Sequence, residues 1–178
     1  MDVYVFAKEA NPALVGEKRS IGSYQSLRFV ASTTGRFQAF AVVELEDLAS
    51  LTGSIDQIFG NPGAKGIQTA LPLRPGPMQV RWTKQYEYIA IARIGVRPGQ
   101  AMDVLAATAE VPGYNGSAIV AGAFDVLVEY GANDFDELKS TLLNGLHDTK
   151  GILWTETAFV AEYFYRGPRE QEEGSQAS

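Results

Sequence analysis

The sequence predicts an α+β fold made of two tandem modules, each with the element order β-α-β-β-α-β. An offset of 87 residues, the difference between 122 and 35, aligns Gly35 with Gly122 and Phe37 with Phe124. The same offset keeps the apolar positions of the following segments in step. The further aligned pairs are Leu48/Phe135, Leu51/Leu138, Ile55/Leu142 and Phe59/Leu146. The chain is therefore interpreted as a duplicated module of the split, ferredoxin-like type.

The second half begins with a strand, a helix and a hairpin, each with its own start and stop signals. β-Branched and aromatic residues over 86–96 predict a strand, which the following Pro-Gly pair ends. Apolar residues at helical spacing after Gln100 predict a helix that ends at Pro112. Two extended runs, 117–120 and 124–130, then predict the two strands of a hairpin.

A second helix and a closing strand complete this half. Asn133 or Asp134 can cap the helix, because a side-chain oxygen there accepts a hydrogen bond from an otherwise unpaired amide. The run 152–164 predicts the last strand. The apolar face of the helix is predicted to be Phe135, Leu138, Leu142, Leu143 and Leu146.

The first half repeats most of this order. Extended runs at 3–7, 26–32 and 37–44 predict three strands, the last two forming a hairpin. Apolar spacing over 48–59 predicts a helix, and 67–71 predicts the closing strand. Every element of the second half thus has a counterpart in the first half except the first helix.

The segment 11–22 stands where that helix would lie, and its one Pro and two Gly residues disfavour a regular helix. A shortened element or a loop is expected, so the uncovered sheet face is left to loop packing, a partner or a bound molecule. The predicted domain boundaries are 1–71 for the first module, 72–84 for a linker, 85–165 for the second module and 166–178 for a disordered polar tail.

Composition narrows the classes of partner and compartment. The chain has 178 residues, 46% of them apolar, and a net charge of -6, which disfavours a nucleic-acid or anionic-membrane partner. No signal peptide or membrane-length apolar run is recognised, so a cytoplasmic location is expected. One basic cluster is interpreted equally well as a solvated linker and strand edge or as a local patch. Its members are Arg74, Arg81, Lys84, Arg93 and Arg97.

Catalytic motifs are not recognised in the sequence. There is no cysteine, no phosphate-binding glycine loop and no nucleophile elbow, and His147 is the only histidine. His147 ends a predicted helix, where helix capping or surface exposure explains it as an alternative to catalysis. We therefore predict a protein that is not an enzyme and that uses neither a metal nor a cofactor.

Five segments of the second half resemble one family in residues, order and spacing. They are 91–99, 111–113, 121–128, 134–138 and 151–157. Together they resemble the effector-binding domain of the Lrp/AsnC family of transcription regulators. The resemblance implies domains that pair through their sheets into a dimeric α/β-barrel-type sandwich. It also implies a small-molecule effector, often an amino acid, bound where dimers meet.

The first half departs from full members of that family. Those proteins carry a DNA-binding helix-turn-helix before the effector domain, whereas here the preceding half is another sheet module. The resemblance therefore implies a stand-alone tandem sensor that does not bind DNA directly. A homo-oligomer is expected from the duplication and from the missing first helix.

The resemblance carries possible ligand contacts to five positions, each with a structural alternative. Gly122 would admit a ligand to the backbone or serve turn geometry, and Asp125 would bind an ammonium group or hold a strand end. Asp134 would contact the effector or cap a helix. Thr155 and Thr157 would bind a ligand carboxylate or be exposed strand residues.

Three functions follow from these observations. The first is a non-catalytic sensing or regulatory module for a small molecule such as an amino acid. The second is a structural protein that assembles into a homo-oligomer through its sheets, and the third is a small monooxygenase-like enzyme of the same fold that depends on His147. The resemblance of the second half favours the first.

Overall fold

A computed structural model describes residues 1–10, 24–59, 64–73 and 86–166. The irregular segment expected at 11–22 lies outside the described residues. So do the predicted linker after residue 73 and the predicted tail after residue 166.

The described residues form eight strands and three α-helices, which confirms the predicted α+β class. The strands are β1 (Asp2–Glu9), β2 (Leu27–Thr33), β3 (Ala39–Glu44), β4 (Lys65–Pro72), β5 (Tyr88–Val96), β6 (Tyr114–Ala121), β7 (Val126–Ala132) and β8 (Ile152–Tyr165). The helices are α1 (Leu51–Phe59), which follows a 3-10 turn at Leu48–Ser50, α2 (Ala101–Ala109) and α3 (Phe135–His147).

The eight strands close into one antiparallel barrel within a single chain. Their order around the barrel is β1-β3-β2-β8-β5-β7-β6-β4. Two junctions join the halves: β2 pairs with the end of β8, where Val30 lies opposite Phe164, and β4 pairs with β6, where Leu71 lies opposite Ala121. β8 is long enough to pair first with β5 and then with β2, so it runs across one junction.

Side chains alternate between the barrel interior and the outer face, as a two-residue period requires. On β1, Val3 and Val5 belong to an outer apolar cluster, whereas Tyr4 and Phe6 belong to the interior cluster. Outer clusters are covered by helices: Phe59 of α1 packs on the first half, and α2 and α3 pack on the second. The interior cluster combines side chains from both halves of the chain.

Each hairpin turn reaches over the closing strand of the other half. In the turn after β2, the Thr34 amide donates to the Phe159 carbonyl at 2.9 Å, and the Phe159 amide donates to Thr34 Oγ1 at 3.1 Å. In the turn after β6, Gly122 lies against β4, where an added Cβ would be 2.9 Å from the Thr69 carbonyl oxygen. Backbone proximity therefore requires a glycine at position 122.

Gly122→Ala is expected to destabilise the fold by about 2 kcal/mol, because the new methyl group meets rigid backbone. The matched control is Gly53→Ala in α1, where an added Cβ meets nothing within 4 Å. That change should raise stability by about 0.5–1 kcal/mol through helix propensity. Urea unfolding of both variants measures the difference. Equal effects on stability would contradict the close approach of the hairpin to β4.

Candidate functional site

The barrel interior holds a buried charged side chain, Arg93, in the middle of β5. Arg93 is 5% exposed. Its Nη1 donates to Gln68 Oε1 at 3.1 Å, and its Nη2 donates to the carboxylate of Glu156 in a short ion pair. Arg93 and Glu156 are direct cross-strand partners, so the register between β5 and β8 brings the two charges together.

Three phenyl rings surround the guanidinium. Its central carbon lies 3.9 Å from the ring centroid of Phe37, 5.0 Å from that of Phe6 and 5.5 Å from that of Phe124. At these distances the ring faces attract a cation, most strongly in a dry environment. The rings also exclude water from the inner side of Arg93.

Burial dominates the electrostatics of this side chain. Loss of hydration lowers the pKa of Arg93, whereas attraction to Glu156 and the hydrogen bond between them oppose that change. Repulsion from Arg36 lowers the pKa of Arg93 further. A guanidinium nevertheless keeps its proton in a protein, so the charge is retained.

The guanidinium lines a small cavity, which we name the arginine pocket. Its polar lining comes from Thr33, Arg36, Arg93, Glu156 and Thr157, and its apolar lining comes from Phe, Ile and Ala side chains of the barrel. The free volume is about 10 Å³, close to what one water molecule needs. Two guanidinium groups and one carboxylate thus line a pocket that is almost full.

Two long side chains, one from each half of the chain, pack against glycines of neighbouring strands. The indole of Trp154 lies across Gly95, where an added Cβ would overlap it. In the first half, the stem of Lys8 lies across Gly66, with its Cδ 2.7 Å from an added Cβ. Both glycines therefore make room for a covering side chain beside the arginine pocket.

Two of the predicted ligand contacts, Gly122 and Asp125, lie in the turn between β6 and β7. Gly122 faces β4, as described above. Asp125 Oδ2 accepts a hydrogen bond from the Val96 amide at 2.8 Å, and the Asp125 amide donates to the Ile94 carbonyl at 3.0 Å. These bonds fasten the turn to the end of β5.

The other three predicted contacts are divided between a helix start and β8. Asp134 caps α3, since its Oδ1 accepts from the Glu137 amide at 2.8 Å, and this confirms the capping interpretation. Thr155 lies opposite Ile94 and is exposed. Thr157 lines the arginine pocket, and the five positions do not converge on one cavity.

Sequence reasoning missed the main polar group of the barrel. Of the two interpretations of the basic cluster, the solvated linker and strand edge is wrong for Arg93, because its side chain is buried. A signal was present, since a lone arginine interrupts the apolar run 89–94. Its partners Gln68 and Glu156 come from distant strands and carried no local signal.

A second buried ionisable group lies elsewhere in the barrel, at Glu129 on β7. Glu129 is 1% exposed, Asn115 Nδ2 donates to its Oε1, and its Oε2 has no hydrogen-bond partner among the described residues. Burial raises the pKa of Glu129 to about 8, opposed by the hydrogen bond from Asn115. The pKa of Tyr4 is also raised, first by burial and then by the charges of Asp2 and Glu129.

Other features of the described residues give weaker support for a functional site. An open groove of about 390 Å³ runs beside the start of α1, where Glu46 and Asp47 face solvent. His147 is exposed at the end of α3 and lines neither this groove nor the arginine pocket. Within residues 1–10, 24–59, 64–73 and 86–166, no three histidine or acidic side chains are grouped to hold a metal ion.

In the part of the chain that the structure describes, no helix is long and apolar enough to cross a bilayer.

The antiparallel barrel and its outer helices place the chain in the class of α+β barrels similar to ferredoxin-like proteins. Over most of its length the fold is similar to that of the siroheme decarboxylase NirDL, with a TM-score of 0.67 and 9% identity over 94% of this chain and 73% of that one. At this identity the likeness is one of fold alone.

Partial likenesses include Lrp/AsnC-family proteins. E. coli AsnC matches 43% of this chain and 52% of its own, at 18% identity and a TM-score of 0.41. The transcriptional regulator NMB0573 from Neisseria meningitidis, solved as a complex with L-Met, matches 43% of this chain and 51% of its own, at 20% identity and a TM-score of 0.38. No protein-family model matches the sequence, and no curated protein does either.

Proposed function

We propose that the protein is a non-catalytic, regulatory module that binds a small molecule through an anionic group in the arginine pocket. The observation that carries this proposal is the buried guanidinium of Arg93, which faces a cavity shared with a second arginine, Arg36. Burying a charge is costly even when it is paired, and a well-packed apolar pair is often more stable. A binding role explains why the barrel keeps the charge.

The chemistry of the pocket favours an anion. A guanidinium presents a planar fork of donors that matches a carboxylate. Thr33 and Thr157 also line the pocket, but the Thr33 hydroxyl already donates to the Phe37 carbonyl at 2.7 Å, and Thr157 lies opposite Ala92 of the outer cluster. Among the five positions carried over from the family resemblance, Thr157 is the one that lines the pocket. Amino acids are the first class of ligand to test, because each carries a carboxylate.

The tandem organisation is part of the proposal, with modules at 1–71 and 85–165. Corresponding strands support it: Phe6 pairs with Gln68 on β1 and β4, and Arg93 pairs with Glu156 on β5 and β8. Position 6 plus 87 is 93, so Phe6 and Arg93 are equivalent under the sequence offset. A fused pair can place an arginine on one side of the barrel and a phenylalanine on the other. Two identical chains would place two arginines there.

A thermal-shift screen of the amino acids at millimolar concentration tests the function. At least one should raise Tm, since a ligand at 100 times its Kd stabilises the fold by about 2.7 kcal/mol. Arg93→Met should remove that response, whereas Arg97→Met, at an exposed position on the same segment, should retain it. A screen without any stabilising amino acid, or a response that survives in Arg93→Met, would count against the proposal.

A further inference from the structure

We propose that the ligand group is a carboxylate that binds Arg93 in place of Glu156, so that Glu156 is a built-in competitor for the pocket. This inference rests on the proposed function, because it concerns the same pocket. It specifies the chemical class of the ligand and the way in which the pocket opens.

The free volume requires that some side chain leaves. About 10 Å³ holds no more than a water molecule, whereas a carboxylate group is several times larger. The phenyl rings of Phe6 and Phe37 are 4% and 3% exposed and belong to the interior cluster. Glu156 can leave the pocket without moving that cluster, because its side chain is 27% exposed and reaches water directly.

The charges favour replacement of Glu156 by a ligand carboxylate over binding of that carboxylate beside Glu156. Arg93 stays in place when Glu156 leaves, because its Nη1 remains bonded to Gln68 and its guanidinium remains against the Phe37 ring. A ligand carboxylate then takes the Nη2 contact that Glu156 gives up, and Arg36 stands at the same pocket as a second cation. One carboxylate replaces another, so the buried net charge does not change.

A carboxylate fits this exchange better than a phosphate does. The space vacated by Glu156 has the shape of a short aliphatic carboxylate, which is planar and carries one charge. A phosphate is tetrahedral and adds a further negative charge inside the barrel, where desolvation is costly. The resident side chain is thus a copy of the group that the pocket accepts.

Tethering makes Glu156 a strong competitor. A group held on the same chain acts at an effective concentration on the order of millimolar or higher, so a free carboxylate must exceed it in affinity or concentration. Weakening the resident group therefore increases the apparent affinity for any carboxylate.

Acetate is the probe for this exchange, added to the Glu156→Ala variant at constant ionic strength with chloride as the balancing anion. We expect the Tm of the variant to rise with the logarithm of acetate concentration, while the wild-type Tm changes far less. Adding Arg93→Met to the variant should abolish the rise. An acetate effect no larger than that of chloride, or one that persists without Arg93, overturns the inference.

A milder variant covers the case in which Glu156→Ala does not fold. Glu156→Gln keeps the size of the side chain and removes its charge. The acetate concentration that gives half-saturation should therefore be roughly 10-fold or more lower than in the wild type. Glu162→Gln, an exposed change on the same strand, should leave the wild-type response unaltered. Equal acetate responses in Glu156→Gln and the wild type would overturn the exchange.

The two proposals fail in different ways. If an amino acid stabilises the wild type through Arg93 and acetate does not rescue Glu156→Ala, the binding function stands and the exchange is wrong. If acetate rescues the variant and no amino acid stabilises the wild type, the exchange stands and amino-acid sensing is wrong.

Discussion

Replacing Glu156 with alanine is expected to destabilise the protein by about 3 kcal/mol, whereas Arg93→Met should cost less than about 1 kcal/mol. The asymmetry follows from burial. Without Glu156, the guanidinium of Arg93 stays inside the barrel, where its side chain is 6% exposed, with Gln68 as its remaining hydrogen-bond partner. Without Arg93, the carboxylate of Glu156 can turn to water, and Met fills the space among the phenyl rings.

The double variant separates the interaction energy of the ion pair from the effects of the two single substitutions. Arg93→Met combined with Glu156→Ala should be about as stable as Arg93→Met alone, which gives a coupling energy of about 2–3 kcal/mol between the two sites. Urea unfolding of the four proteins supplies the cycle, provided that the m-values agree. Effects that simply add would show that the ion pair contributes nothing, and would also remove the electrostatic basis of the carboxylate exchange.

Local patterns predicted the elements well because each depends on neighbouring residues. The extended run 3–7 predicted a strand, and the structure has β1 at Asp2–Glu9. The sequence predicts the cap of α3 at Asn133 or Asp134, and Asp134 provides it, since an acceptor before a helix binds an amide three residues later. These features require no knowledge of the rest of the fold.

Barrel closure required information that the sequence pattern does not contain. The pairs Val30/Phe164 and Leu71/Ala121 join segments far apart in the chain, and their register is set by packing over the whole barrel. The arginine pocket depends on the same long-range register. Glu156 is 63 residues from Arg93 along the chain, so the lone arginine in the apolar run did not reveal its partner.

Two of the residues to which the family resemblance pointed have structural roles at a turn. They are Gly122 and Asp125, which lie at a turn where one makes room for a neighbouring strand and the other binds the Val96 amide. Hairpin geometry accounts for both residue types. A glycine or an aspartate at such a turn therefore carries little information about ligands.

The second large expected effect concerns pH and comes from Glu129. In the folded protein burial raises the pKa of Glu129 to about 8, against an ordinary value of 4.5. Between these values the folded state holds a proton that the unfolded chain releases. Stability is therefore complete below pH 4.5, declines as pH rises through this interval and becomes level above about pH 8.

For a single group with these values, the decline between pH 5 and pH 9 amounts to about 4 kcal/mol. Glu129→Gln should remove most of it, since the amide keeps the contact with Asn115 and cannot ionise. Burial also raises the pKa of Asp2, so this residue too makes stability fall as pH rises, in the acid range. Its contribution is the same in the wild type and in Glu129→Gln. Urea unfolding at pH 5, 7 and 9 measures the two profiles.

Glu162→Gln is the matched control, because this exposed residue should leave the wild-type profile unchanged. Parallel profiles for the wild type and Glu129→Gln would mean that Glu129 ionises normally and that water reaches Oε2. A flatter profile for Glu129→Gln than for the wild type would instead mean that Glu129 is a neutral carboxylic acid inside the barrel at neutral pH. The interior would then hold one compensated charge at Arg93 and an uncharged group at Glu129, so an incoming carboxylate would meet no second buried anion.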